Sequence, residues 1–384
     1  MSSVALLEFC SRRGVLYQDT CIEPWAGAYF DAKKSVSERS NYALREEMLR
    51  LKQRLPADGP TALVTHGANP GLVSHLVKKA LMDIAEKTLP GGVREPVDQP
   101  GWAALAAELG IKTIHISERD TQTPSAPKCP GEFVNTWSVD GFISEGCQPA
   151  ELGWGTHEKA LPADGAQHGF GCGASIYLNR PGCQTLVRTW TPGEGPFQGY
   201  LVTHNEAISI ADFLTARGAD GRVAYRPTVH YAYHPCDSAV ASLHELAGKG
   251  FEPQACKRLI VDEVISGSDE LGVLLCGNAG GAYWLGSQLT IDAARCAAPA
   301  NSATSLQVTS TVVAGVLWAL QHPSLGVVEP EQVGQWREIL AFVEPYIGLV
   351  GQTTDWTPLV GRGRLFPEKL DLSDPWQFDN VRVA

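Results

Sequence analysis

The chain opens on a helical pattern: Val4, Leu6 and Leu7 mark a short helix, and Arg12-Arg13-Gly14 supplies the basic residues and the glycine that close it. Val15-Leu16-Tyr17 starts a strand predicted to end at Asp19-Thr20, before a loop through Glu23-Pro24-Trp25. Leu44, Met48, Leu51 and Leu55 predict a second helix, with Asn41 as its cap and Glu46 and Arg50 paired on its solvent face. Residues 61–65 read as the next strand. The turn His66-Gly67-Ala68-Asn69-Pro70-Gly71 then leads into an amphipathic helix carrying Leu72, Val73, Leu76, Val77, Ala80, Leu81 and Ile84 on its buried side. A further helix over 102–109 precedes a strand over 111–117.

Alternating strands and helices predict an open α/β sheet with parallel strands, in which ligands gather beyond the strands' carboxyl ends. Three stretches occupy that position: 19–25, 66–71 and 118–120. No GxGxxG occurs, and the run Gly169-Phe170-Gly171-Cys172-Gly173 neither has the third glycine at the right interval nor opens a helix. The fold class expected is α/β: an incomplete Rossmann-like parallel-sheet domain over 1–118. Beyond residue 119 short strands at 175–178, 186–190 and 229–234 alternate with Gly/Pro turns, which predicts an α+β second domain on a largely antiparallel sheet, to about residue 300. Residues 304–320 form a helix apolar on most faces, to be buried in the core or an interface. With the Pro-, Gly- and aromatic-rich tail, that helix makes a C-terminal part over 301–384 that packs back on the core.

Charge narrows the function. Lysine and arginine number 31 against 42 acids, a net charge of −11, which argues against nucleic acid as a partner. Between Glu118 and Glu158 seven acids stand against Arg119 and Lys128, among Phe133, Trp137, Phe142 and Trp154. An acidic, aromatic pocket favours a cationic ligand. The ten cysteines are scattered, which suits reduced thiols in the cytoplasm, and the apolar run 312–320 is too short to span a bilayer.

Residues 135–146 are the densest candidate. Trp137 and Glu145 lie about two helical turns apart, and an indole face with a carboxylate suits an alkylammonium; a core tryptophan beside a solvated glutamate is the plainer reading. His204 can move a proton near neutral pH, with Glu206 to orient it or bind an amine, or the pair can simply belong to a helix-capping turn. Asn69 and Glu118 stand at the productive edge of the sheet, and Asp269 before an apolar run at a pocket mouth. His230 and His234 share a strand face, yet no HExxH or comparable spacing supports a metal, so none is expected. The readings left open are amine oxidation on a nicotinamide, cofactor-free binding of a polyamine, and an acidic scaffold.

The strings NTWSVDGFISEG (135–146), QPAELGWGTHE (148–158), THNEAISIADF (203–213), YRPTVHYAYHPCD (225–237), SDELGVLL (268–275), LQVTSTVVAG (306–315) and TDWTPL (354–359) resemble bacterial homospermidine synthase, of the saccharopine-dehydrogenase-like type. The resemblance implies a cytoplasmic homodimer that binds a diamine or polyamine and no membrane. It implies bound NAD, which removes a hydride from putrescine and returns it after a second amine has displaced ammonia. Spermidine is a further donor. On this chain Trp137 would hold an ammonium by a cation–π contact and Glu145 would anchor an amino group. Glu118, Asn69 and His204 would surround the reacting carbon and handle protons, while Glu206, Glu23 and Asp269 would line an acidic path. Gly67, Ala68, Asn69 and Pro70 would meet the cofactor. The family pattern opens with a strand and glycine-rich turn ahead of the helix that begins this chain. A truncated enzyme, or an NAD-independent polyamine-binding remnant, is therefore the alternative expectation.

Overall fold

A computed structural model describes residues 2–31 and 33–383. Two sheets organise it. The smaller is parallel and three-stranded, with Ala62–Leu63 between Tyr17–Gln18 and Val327–Val328. The larger has ten strands, and its central run is Leu349–Thr354, Gly281–Thr290, Ser268–Asn278, Thr113–Asp120, Thr228–His234, Pro149–Gly153 and Ser175–Pro181. Within it only Thr113–Asp120 and Thr228–His234 run parallel.

The parallel strands expected near the amino terminus are confirmed in kind, with one reassignment. Thr113–Asp120, expected in the first domain's sheet, lies at the centre of the larger sheet, and the third parallel strand comes from Val327–Val328. The division expected at residue 118 therefore does not separate the sheets, nor does residue 301. A short strand buried on both faces, as Thr113–Asp120 is, carries no periodicity to say which sheet receives it.

Helix starts follow local chemistry. The second helix, Asn41–Lys52, is capped by Ser40, whose hydroxyl accepts from the Ala43 amide, and not by Asn41. Its supposed solvent face is covered: Glu46 is buried and accepts from the Cys172 amide, because the glycine loop 169–173 folds over it. Asp98 caps Gln99–Glu108. The turn before the Leu72–Thr88 helix closes on itself, with the Gly67 amide donating to the Pro70 carbonyl at 2.7 Å. Gly71 sits at φ +127°, and a Cβ there would lie 2.2 Å from the Gly67 carbonyl oxygen, so only glycine fits.

The Ala303–Gln321 helix is long and apolar enough to cross a membrane, but 56% of its most apolar window is buried inside the protein. It packs beneath the first sheet, where Gly315 leaves room for His66 and Gln18. Val313, Val316, Leu317 and Leu320 remain exposed. In the tail, Trp356 and Trp376 join Trp190 and Trp284 in one apolar cluster, and Phe378 fills another. His230 packs against His115 with the rings tilted by 46° and their centroids 4.1 Å apart. Among the described residues no group of three or more metal-ligating side chains gathers.

Candidate active site

The carboxyl ends of the two sheets meet at a cavity of about 320 Å³. Larger hollows exist, including one of about 610 Å³ beside Arg45. There the buried guanidinium is already committed to Glu329 and Asp212, at 2.7 and 3.0 Å. The smaller cavity is where chemistry-bearing groups converge.

One wall is the Gly67–Pro70 turn, and opposite it the Thr113–Asp120 strand presents Glu118. Asn69 donates to Glu118 Oε2 at 3.0 Å, and the Tyr231 hydroxyl donates to the same oxygen at 2.5 Å. Among the described residues Glu118 Oε1 has no partner. Burial pushes the Glu118 carboxyl up to about 8, helped by Asp120, although the Tyr231 and Asn69 bonds and nearby His204 pull the other way. That is a carboxyl poised to exchange a proton near neutral pH.

A second wall comes from the Val139–Cys147 helix and the residue before its cap. Ser138 caps the helix by accepting from the Gly141 amide, and Gly141 leaves space for the Trp137 ring. Trp137 Nε1 donates to Tyr233 at 3.0 Å, which fixes the half-buried indole at the cavity edge. Glu145, two turns on, accepts from His204 Nε2 at 3.0 Å, while His204 Nδ1 bonds Glu206 at 3.1 Å. Burial alone would lower the His204 pKa, but Glu206 and Glu145 outweigh it and hold the ring well above its ordinary value, as an imidazolium. Glu23 completes the acidic rim, its pKa raised by burial and by Glu145 and lowered by Cys21.

Nine of the predicted side chains and backbone positions line this cavity: Glu23, Gly67, Ala68, Asn69, Pro70, Glu118, Trp137, Glu145 and His204. Two predicted residues do not. Glu206 is fully buried behind His204 and acts on it. Asp269, expected at the pocket mouth, is fully buried beneath Thr304, whose hydroxyl it accepts at 2.5 Å, because the strand Ser268–Asn278 points it into the protein. Sequence reasoning missed Tyr231 as a ligand of Glu118, Tyr233 as the partner of Trp137, and Thr304 and Val308 as lining. The signal for the tyrosines was present in the alternation His230-Tyr231-Ala232-Tyr233, which sets both on one face. Thr304 and Val308 had none, since they arrive from a distant helix.

The chain is of the saccharopine-dehydrogenase class. Residues 1–63 match the saccharopine dehydrogenase NADP binding domain, and residues 67–353 match the saccharopine dehydrogenase C-terminal domain. Homospermidine synthase of Blastochloris viridis is 53% identical over 383 residues, covering 100% of this chain and 80% of the relative. That of Mesorhizobium japonicum is 53% identical over 385 residues, covering 99% and 79%. The crystal structure of homospermidine synthase from Legionella pneumophila in complex with NAD superimposes with a TM-score of 0.92 at 50% identity, covering 100% of this chain and 80% of that one. The chain belongs to the homospermidine synthase family.

Proposed function

We propose that the protein is an NAD-dependent homospermidine synthase, transferring an aminobutyl group between putrescine molecules with release of ammonia, and accepting spermidine as a further donor. The observation that carries this reading is the convergence of Glu118 with the Trp137–Glu145–His204 wall on one cavity. The family relationship gives the reading its chemistry.

The turn at 67–71 suits the flat nicotinamide ring: Gly67, Ala68 and Pro70 offer backbone and small apolar surface, and the tight Gly67–Gly71 approach leaves no side chain in the way. Gly67, Ala68, Asn69 and Pro70 would hold that ring. When bound, NAD accepts a hydride from the carbon bearing the amine and later returns it.

The chain's own residues do the rest. A diamine enters as a dication, and desolvating two charges is prohibitive without partners. Around the cavity Glu23, Glu145 and Glu206 stand against a charged His204, and the ionised form of Glu118 supplies the base that meets the diammonium. The Trp137 face and Glu145 hold the far ammonium away from the reacting end. Glu118, steadied through Oε2 by Asn69 and Tyr231, keeps Oε1 free to take a proton from the near ammonium, which must be neutral before its carbon is oxidised. His204 keeps its proton between two carboxylates and orients Glu145, so proton exchange is assigned to Glu118. Ala68, Pro70 and Val308 limit water, which would hydrolyse an imine.

Putrescine and NAD added to the purified chain should yield homospermidine and ammonia with no net NADH. Tight putrescine binding without NAD binding or product would replace this reading by a cofactor-free polyamine-binding protein. The homodimer, tested by light scattering, and the cytoplasmic location, tested by fractionation, belong to the same proposal.

A further inference from the structure

The helix that carries Glu145 ends on a cysteine with a second cysteine facing it. The strands Pro149–Gly153 and Ser175–Pro181 pair antiparallel with Pro149 opposite Pro181. The pairing continues one step beyond, where the Gly182 amide donates to the Gln148 carbonyl at 3.0 Å. One further step sets Cys147, the last residue of the Val139–Cys147 helix, opposite Cys183 in the short 3-10 turn Gly182–Gln184. Opposed residues of antiparallel chains lie about 4.5–5.5 Å apart at Cα, inside the window of about 4.4–6.8 Å that a disulfide requires. An independent contact agrees: a Cβ on Gly146 would stand 3.3 Å from Cys183 Cβ. Both cysteines are free thiols.

Access is one-sided. Cys183 is buried, whereas Cys147 is half-buried and lines a hollow of about 190 Å³ together with Arg39 and Arg180. Two guanidiniums at the mouth favour an anionic reagent such as glutathione disulfide. Arg39 Nε is buried there without a partner among the described residues. Within the pair, the hydrogen bond from Cys183 lowers the Cys147 pKa against its burial and raises that of Cys183, so Cys147 is the thiol that ionises first.

We propose that Cys147 and Cys183 form a reversible disulfide that shuts the active site by drawing in the last turn of the Val139–Cys147 helix. Cys147 attacks the oxidant, and Cys183 then closes the S–S bond. Each sulfur gives up its hydrogen, and two electrons and two protons pass to hydrogen peroxide, yielding two waters, or to glutathione disulfide, yielding two glutathione thiols. The bond needs sulfurs at about 2.05 Å, closer than two hydrogen-bonded thiols. That closure is shared between the two side chains and the last turn, and Glu145, two residues away, shifts with the turn relative to His204 and Trp137.

The effect on turnover rests on the function proposed above; the bond itself does not. Oxidation of the full chain with glutathione disulfide should give a non-reduced peptide in which the two cysteines are linked, two hydrogens short. Homospermidine formation should fall about tenfold or more, since a misplacement of about 1 Å is enough for such a loss. Dithiothreitol should restore it. Cys147→Ser should be as active as the reduced protein and indifferent to the oxidant. Cys183→Ser should trap glutathione on Cys147. Cys129, Cys256 and Cys296 are exposed and will also react, but the peptide map separates them. Absence of the linked peptide, a linked protein of undiminished activity, or a Cys147→Ser variant still inhibited by oxidant would each overturn the proposal. If the reduced chain makes no homospermidine, the function fails, while the linked peptide still reads out the bond.

Discussion

Glu118 concentrates the chemistry of the site in one oxygen. Its Oε2 is saturated by Asn69 and Tyr231, so the work falls to Oε1. Glu118→Gln keeps an acceptor for both donors and removes the base; turnover should drop about 10²–10⁴-fold while circular dichroism is unchanged. A base must be ionised to act, and burial holds this carboxyl at about 8. The profile of kcat/KM for the unmodified protein should therefore fall as pH decreases below about 8, and a flat profile down to pH 6 would remove Glu118 from that role. Trp137 contributes a different quantity. Its ring face is worth about 0.5–2 kcal/mol to a bound cation, so Trp137→Ala should lower kcat/KM about 2- to 30-fold. Trp137→Phe, which keeps a face and loses only the bond to Tyr233, should lose less; equal losses would assign the residue to anchoring and not to cation binding.

Elements were legible wherever the pattern was local. The helical spacing of Trp137 and Glu145, the 66–71 turn and the strand at 229–234 could all be read from local pattern. What could not be read were surfaces closed by distant chain. The face bearing Glu46 looks wet until the loop 126 residues away folds over it. Asp269 looks like a pocket residue until its strand is given neighbours on both sides. The same limit hid Tyr231: alternation revealed its face, but only the parallel pairing of Thr228–His234 with Thr113–Asp120 brings it to Glu118. The 67–71 turn is the element most exposed to a single change. Gly71→Ala places a methyl against the Gly67 carbonyl in a backbone region closed to other residues, at a cost of about 1–3 kcal/mol. Thermal melting should shift down accordingly, and NAD titrated calorimetrically should bind more weakly because the turn would open.

Across the whole molecule, buried titratable groups set the response to acid. His230 has both ring nitrogens buried without partners among the described residues, and burial lowers its pKa to about 3. It is neutral in the fold, and an unfolded histidine takes a proton near 6.5. Its contribution is thus fully present above pH 6.5 and is lost progressively as pH falls toward 3, about 2 kcal/mol of it by pH 5. Raised carboxyls such as Glu118 and Glu158 act in the opposite sense, becoming less costly as they protonate. The histidine's share is therefore best isolated by difference. His230→Leu should gain about 2 kcal/mol relative to the unmodified protein when urea unfolding is moved from pH 7 to pH 5, and parallel curves at both pH values would refute the assignment.

The arrangement of the strands also dictates when the protein can become itself. Ala62–Leu63 finds one of its two neighbours in Val327–Val328, and Glu118 finds its tyrosine 113 residues downstream. A growing polypeptide leaving the ribosome must hold Ala62–Leu63 half-paired, against Tyr17–Gln18 alone, until Val327–Val328 has emerged. Maturation then waits on that distant strand, and the nascent chain is most vulnerable to clumping or chaperone capture until it arrives.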